Sequence, residues 1–360
     1  MNQNKVLFFG PYPDPYTGQS VSLSEVFNNY KGAKVRFDTT RFGNYKILNS
    51  IYCLLFLPFF FVFFNVNKVF FTCTRSRMGF VKDFQLLLLC RIFKKKVVNH
   101  LHGADLNTFY QNSGYLKKSI KWSYGAIDTT IVLLPSMKEQ VRSFSEMKLE
   151  VINNSYSKSI VGNGINTFHK KNQVLYLSNL IYSKGIFVLL DAISILLAKN
   201  SQIVFKIAGS PMGDEFMSKN EVQKKFFLKS DMLSKKYPNR YAYVGMVKGN
   251  VKERLLKESS IFVLPTFYKT EAFPLTIIEA MLCRNVIITT NHNYLKDVVS
   301  ARNGFLVEKN SHEDLVRRIS YLFENQKIMK QIQDFNNKEA KEKYSPDLFF
   351  QKMNRLITNL

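Results

Sequence analysis

The chain has 360 residues, more than one hydrophobic core comfortably supports, which predicts two domains of roughly 150–200 residues each. With 46% hydrophobic and 22% charged residues, 16 Gly and 10 Pro, the composition excludes disordered, collagen-like and repeat-array chains. Lys+Arg 51 against Asp+Glu 27 leaves +24, which favours polyanionic or membrane-surface partners and says nothing about fold; the excess is even, 21 basic and 9 acidic residues before residue 165 and 30 and 18 after it.

The start, Met1–Asp14, has no signal-peptide pattern, since Lys5–Gly10 is too short for an apolar h-region and ends in turn residues. Val6–Phe9 reads as a strand, followed by a Pro- and Gly-rich turn to Gly18 and a helical pattern over Ser20–Tyr30. Ile51–Phe64 is apolar throughout but only 14 residues long, about 21 Å as a helix and short of the ~30 Å hydrocarbon core. Pro58 interrupts it. The segment is therefore expected as a buried core element or as a surface that dips into lipid. Further strands are expected at Lys34–Phe37, Lys68–Thr72, Lys96–Leu101 and Thr129–Leu134, with helices at Phe80–Phe93 and Lys117–Tyr124. This alternation implies a parallel sheet covered on both faces.

The pattern breaks at Asn153–Asn172, rich in Asn, Ser, Gly and Lys, which is the candidate linker. Its Gly162-Asn163-Gly164 lacks a third glycine and a preceding strand, so it is not expected to be a dinucleotide fingerprint. Alternation then resumes. Strands are predicted at Val174–Leu177, Ile203–Ala208, Tyr241–Val244, Ile261–Pro265 and Val286–Thr289, and helices at Gly185–Lys199, Lys219–Lys236, Lys252–Lys257, Pro274–Cys283 and His312–Glu324. The fold class expected is α/β: a Rossmann-like domain over 1–165, a second over 166–340, with a ligand cleft at the strand carboxyl ends, and a terminal helix over 341–360 packing back across them.

The stretch Ile261–Asn285 holds the chemistry. A buried strand leads to Pro265, a polar loop and a helix opened by Pro274, whose missing N–H is not needed at that position. A helix start facing a cleft suits a phosphate. Glu271 and Glu279 flank it, eight residues apart; on spacing alone they serve equally well as a dipole partner and a solvated carboxylate.

The phrase Glu271-Ala272-Phe273-Pro274-Leu275-Thr276-Ile277-Ile278-Glu279-Ala280-Met281 resembles the E-x7-E signature of family 4 glycosyltransferases. Asn303-Gly304-Phe305-Leu306-Val307, Leu177–Leu180 followed by Lys184-Gly185, and His100-Leu101-His102-Gly103-Ala104-Asp105 are similar to further phrases of that family. The resemblance runs from about residue 5 to 320 and implies the GT-B fold and a nucleotide-sugar donor, UDP- or GDP-linked, with no other cofactor. It further implies that Lys184 and the N–H groups around Leu275–Ile277 hold the diphosphate in a donor site that takes in Phe273, Pro274, Leu275 and Thr276, that Glu279 takes the ribose, that Glu271 contacts the donor sugar, and that His102 stands beside the anomeric centre. Departure of a nucleoside diphosphate leaves charge on the phosphates; the chain has no D-x-D motif to hold a metal there, and cations with a helix N-terminus are the metal-free alternative.

Two departures from the family stand out. Its arginine five residues before the lysine is Asn179 here, and its Gly-Gly loop is reduced to Gly18. The expected partners are the donor, a saccharide or lipid-linked acceptor and an anionic membrane surface, reached from the cytoplasm. The basic runs Lys94–Lys96 and Lys117, Lys118, Lys121 fit solvated or lipid-facing surfaces. Nucleic acid is not expected, because the 32 phenylalanines fall mostly in apolar runs and not on stacking platforms. Four scattered cysteines, Cys53, Cys73, Cys90 and Cys283, predict neither disulfides nor a zinc site. A nucleotide-sugar epimerase of the same fold and a non-catalytic basic homologue are the alternatives.

Overall fold

The computed structural model describes residues 4–13, 17–43, 45–144, 147–160, 170–199 and 202–360. The heart of the candidate linker, with Gly162 and Gly164, lies outside the described residues. Two compact units emerge, Met1–Asn154 with Asp347–Leu360, and Ser155–Pro346. The divisions fall at 154 and 346, where the sequence reading set 165 and 340.

The first unit runs β1 (Lys5–Gly10), α1 (Gly18–Asn29), β2 (Lys34–Asp38), α2 (Lys46–Phe63), β3 (Val66–Phe71), α3 (Arg77–Ile92), β4 (Lys96–Leu101), α4 (Leu106–Gln111), α5 (Lys117–Tyr124), β5 (Thr129–Val132) and β6 (Lys148–Val151). All pairings are parallel, in the order β2-β1-β3-β4-β5-β6. The inner strands carry unbroken apolar stretches, Val6–Phe9 in β1 and Val69–Phe71 in β3, because both faces are covered. Val6, Phe8, Phe70, Val98, Ile131 and Ile152 point to one face, against Leu23 and Val26 of α1. Phe9 points to the other and stacks on Phe37, whose ring meets Phe60 of α2 at 5.0 Å.

α2 corrects one expectation. The apolar segment is a helix of 18 residues, longer than the 14 read from hydropathy, and it is not a buried core element. Only one stripe, Asn49, Cys53, Leu57 and Phe61, is buried, at the four-residue spacing of a helix face. Pro58 is accommodated inside it. Its missing N–H leaves the carbonyl of Leu54 without its usual donor, and Gln85 of α3 supplies one, at 3.0 Å to Leu54 and 3.0 Å to Cys53.

The second unit runs β7 (Lys171–Leu177), α6 (Ile186–Ala198), β8 (Val204–Ala208), α7 (Lys219–Lys236), β9 (Tyr241–Tyr243), α8 (Gly249–Glu258), β10 (Ser259–Leu264), α9 (Leu275–Leu282), β11 (Val286–Thr290), β12 (Gly304–Val307), α10 (His312–Glu324) and α11 (Gln326–Lys343). Its parallel sheet has the order β12-β11-β10-β7-β8-β9. The chain winds outward from β7 through β8 and β9, then returns to β10 beside β7 and winds the other way. The switch point between β7 and β10 is where such sheets open a crevice at the strand carboxyl ends.

The last helix, α12 (Pro346–Thr358), belongs almost wholly to the first unit. Phe349, Met353 and Ile357 complete the core beneath β1, β3, β4 and β5. Lys68 Nζ bonds the carbonyls at its end, Ile357 at 3.0 Å and Thr358 at 2.7 Å. The four cysteines are free and buried.

Candidate functional site

The loops that leave the switch point of the second unit carry Lys184 and Glu271. After β7 the chain makes a short 3-10 turn over Tyr182–Lys184, then Gly185 with φ 74° starts α6. A side chain there would strike the carbonyl of Pro265, so glycine is required on two counts. The turn is held by Asp214, whose carboxylate accepts from the N–H groups of Ser183, Phe216 and Met217 at 2.8, 2.9 and 3.0 Å. These bonds keep the Asp214 carboxyl below the usual range against the opposing effect of its desolvation.

After β10, Phe267 N–H donates to the Ser183 carbonyl at 2.6 Å, locking the two loops together. Asn293 donates to the carbonyls of Lys269 and Glu271 at 3.1 and 2.8 Å, and His292 Nε2 lies 3.0 Å from the Tyr268 carbonyl. The result is one ion pair. Lys184 Nζ lies 3.3 Å from Glu271 Oε2, with side chains 16% and 11% exposed. Thr266 Oγ1 lies 3.4 Å from that same oxygen, and the Tyr268 ring centroid lies 5.5 Å from the ammonium. Such a pair is preorganised but not permanently engaged: a ligand anion can compete with Glu271 for the lysine, leaving the carboxylate to accept hydroxyl donors.

α9 begins four residues beyond Glu271. Pro274 is its N-cap and no side chain caps it. The Ile277 N–H is taken by the Pro274 carbonyl at 3.1 Å, so Leu275 and Thr276 are the donors that the helix itself leaves over. Both side chains are partly exposed. Phe273 differs: its side chain is buried and packs edge-to-face on Tyr344 at 5.5 Å, so any ligand contact there falls to its backbone.

Glu279 is held within the fold. It is 3% exposed, and Lys252 Nζ lies 2.7 Å from Oε1 and 2.6 Å from Oε2. Burial raises its carboxyl above the usual range, and the Lys252 charge works against that. Lys252, on α8, is the partner of Glu279 that the sequence did not disclose. In a chain with 51 basic residues no spacing marks it. Asn179, where the family carries arginine, is exposed, and the Tyr176 hydroxyl donates to its carbonyl at 3.1 Å.

In the first unit His102 follows β4. Its Nε2 is buried without a hydrogen-bond partner, and its ring centroid lies 4.0 Å from that of His100. Burial, reinforced by the nearby Arg75 charge, pushes the His102 imidazole down to about 3, so it is neutral near pH 7. Arg75 pairs with Asp105 and crowds Gly103, where a Cβ would strike the guanidinium. Gly18 opens α1 behind a Thr17–Ser20 capping box, and nothing lies within 4 Å of where its Cβ would be. The structure thus brings Lys184 and Glu271 together, places Leu275 and Thr276 at a free helix start, and puts Glu279 beside Lys252. His102 and Gly18 both stand at carboxyl ends of strands in the first unit. Among the described residues no cluster of three or more His, Cys, Asp or Glu is arranged to hold a metal ion.

Residues 162–341 match the family described as "Glycosyl transferases group 1". An uncharacterized glycosyltransferase of Methanocaldococcus jannaschii is 26% identical over 246 residues, 68% of this chain and 63% of the relative, so the match spans less than two thirds of that relative's length. Among solved structures, Anabaena HepE in complex with UDP and glucose superposes with a TM-score of 0.73 at 16% identity, covering 99% of this chain and 100% of that one. Sucrose-phosphate synthase from Thermosynechococcus elongatus gives 0.72 at 14% identity, covering 99% of both chains. A glycosyltransferase from Rickettsia africae gives 0.72 at 17%, covering 100% and 99%. At these identities the likeness is one of fold: two parallel six-stranded sheets flanked by helices, the GT-B architecture.

Proposed function

Because the chain belongs to the group 1 glycosyl transferases, we propose that it is a retaining, metal-independent hexosyltransferase acting on a UDP- or GDP-sugar. The acceptor in this reading is a lipid-linked saccharide of a bacterial surface polysaccharide, such as capsule or lipopolysaccharide. The observation that carries the reading is the Lys184–Glu271 pair at the switch point, next to the uncapped start of α9. Transfer breaks the bond between the anomeric carbon and the diphosphate and leaves negative charge on the phosphate oxygens. The Lys184 ammonium and the N–H groups of Leu275 and Thr276 are fixed in advance to receive it. Released from the lysine, Glu271 accepts hydroxyl donors of the sugar, and Glu279 serves the ribose. His102 is assigned to the anomeric centre. A neutral imidazole adds no positive charge beside a carbon that itself becomes positive, which is the protonation state its burial favours.

HepE is described in complex with UDP and glucose, so UDP is the first base to try. Calorimetric titration with UDP, GDP and ADP tests the donor site. One nucleotide should bind, and Lys184→Ala should weaken it while lowering turnover by about 10²–10³-fold. Equal nucleotide affinity in wild type and Lys184→Ala would remove the lysine from the site. Conversion of the donor without any acceptor would turn the assignment to an epimerase.

A further inference from the structure

α2 is an 18-residue helix with four buried residues, and its remaining surface is almost entirely apolar. Leu48, Ile51, Leu55, Phe59 and Val62, at helical spacing, form the side turned away from the sheet, and each is at least 47% exposed. The aromatic rings there pack on one another along the helix: Phe59 stacks on Phe63 at 6.0 Å, both exposed. α3, which packs on α2, and α5, which packs on α3, also expose Met78, Val81, Ile92 and Trp122. The apolar, aromatic outer side of α2, eighteen residues long, signals a partner.

Charge identifies which. Between Thr39 and Tyr124 there are thirteen Lys and Arg and two acidic residues, Asp83 and Asp105. Neither acid is available to a partner: Asp83 is buried and accepts from Thr74 and Tyr124, and Asp105 pairs with Arg75. Arg41 and Lys46 stand at the start of α2. At its far end Phe61 packs on Phe93 at 5.5 Å, which sets Lys94 and Lys95 beside the last turn. A hollow lined by Arg91, Lys94, Lys95 and Lys96 opens at the end of α3, with Asp128 already held by Lys96 at 2.8 Å. The Arg91 guanidinium lies 4.6 Å from the Trp122 ring, joining a cation to the kind of ring that favours the headgroup layer.

We infer that the α2 face, rimmed by these cations, docks on an anionic lipid surface with the helix lying in the plane of the interface. A second copy of the chain fits poorly, because a two-fold contact would set this positive surface against itself. Spanning also fits poorly. Eighteen residues reach about 27 Å, and crossing would strip Cys53, Leu57 and Phe61 from the core and break both Gln85 bonds. Lying flat, the helix keeps its packed stripe and gives its outer side chains to the acyl boundary, while Arg41, Lys46, Lys94 and Lys95 meet headgroup phosphates. The inference is independent of the donor chemistry.

Vesicle flotation of the full chain tests it, with pure phosphatidylcholine vesicles and vesicles enriched in phosphatidylglycerol. The chain should float with the anionic vesicles, and added salt should weaken that binding. Phe59→Glu and Leu55→Asn, both at exposed positions, should retain the wild-type circular dichroism and lower partitioning by about tenfold or more each. Lys94→Gln with Lys95→Gln should lower it by about fivefold per charge removed. Failure to float, or equal flotation of wild type and both apolar variants, would overturn the inference. So would a dimer in ultracentrifugation that Phe59→Glu dissolves, since the face would then belong to a second copy.

Discussion

α2 and α6 are the two most apolar helices of the protein, and the fold uses them in opposite ways. α6 has 13 residues and buries eight: Ile186, Phe187, Leu189, Leu190, Ala192, Ile193, Leu196 and Leu197. α2 has 18 and buries four. The difference lies in position. α6 is flanked by α7 and α10, whereas α2 lies toward the β2 edge and has α3 alone among the helices as a substantial neighbour. Apolar composition records what a helix can bury; the number of neighbours records what it does bury.

Substitution measures that contrast directly. Leu190→Ala in α6 should cost about 2–5 kcal/mol in chemical denaturation, whereas Leu55→Ala in α2 should stay within about 0.5 kcal/mol. Equal costs would break the comparison and mean that the outer side of α2 is covered in solution. The next largest effect concerns the buried carboxylate near α6's own sheet. Lys252→Ala leaves Glu279 without its cation and should cost about 2–3 kcal/mol, less than for a fully buried pair because the lysine is 27% exposed. Glu279→Gln added to Lys252→Ala should recover most of that loss; no recovery would mean that the ion pair is not the cause.

Acid should act through the buried histidines of the first unit, with Asp83 there, whose carboxyl burial lifts to about 6, working in the opposite sense. Burial holds His100 and His102 well below the ordinary imidazole range in the first unit. The unfolded chain therefore takes up protons below about pH 6.5 that the folded chain refuses, and stability falls as pH falls, by about 1.4 kcal/mol per pH unit for each histidine. Denaturation from pH 7 to 5 in wild type and in a His100→Asn variant reads the sign; an unchanged slope in the variant would exclude His100 as a source. The smallest effect sharpens the account of α2. Gln85→Leu removes the donor that Pro58 cannot replace and should cost about 1 kcal/mol, and the same change combined with Pro58→Ala should cost less.

Much of this architecture was legible in the sequence, and the exceptions have physical reasons. The long parallel strands announce themselves because sheets covered on both faces demand unbroken apolar runs, as in Val6–Phe9 and Ile261–Leu264. β6 does not, since Lys148-Leu149-Glu150-Val151 is an edge strand that needs only half that cover. α11 is not legible either. Its inner face is not an apolar stripe: Gln333 donates to the Ser260 carbonyl at 3.2 Å, and Asn336 to the carbonyls of Asn285 and Asn303 at 2.7 and 2.9 Å. Hydropathy has no means of counting amides that are satisfied only after folding. At the site, Glu271 and Lys184 could be named because the loops that carry them follow a family phrase. The burial of Glu279 and its pairing with Lys252 depend on how α8 packs on α9, which no local spacing encodes.

The return of α12 to the first unit sets a timetable for biosynthesis. Phe349, Met353 and Ile357 emerge from the ribosome only after the 192 residues Ser155–Pro346, an interval of roughly ten to forty seconds at ordinary elongation rates. Throughout that interval the nascent first unit has Phe8, Phe70 and Val98 without the helix that finally covers them. A chain ending at Asn154 would be fixed in that state, so the first unit is completed by a helix that is translated only after the whole of the second unit.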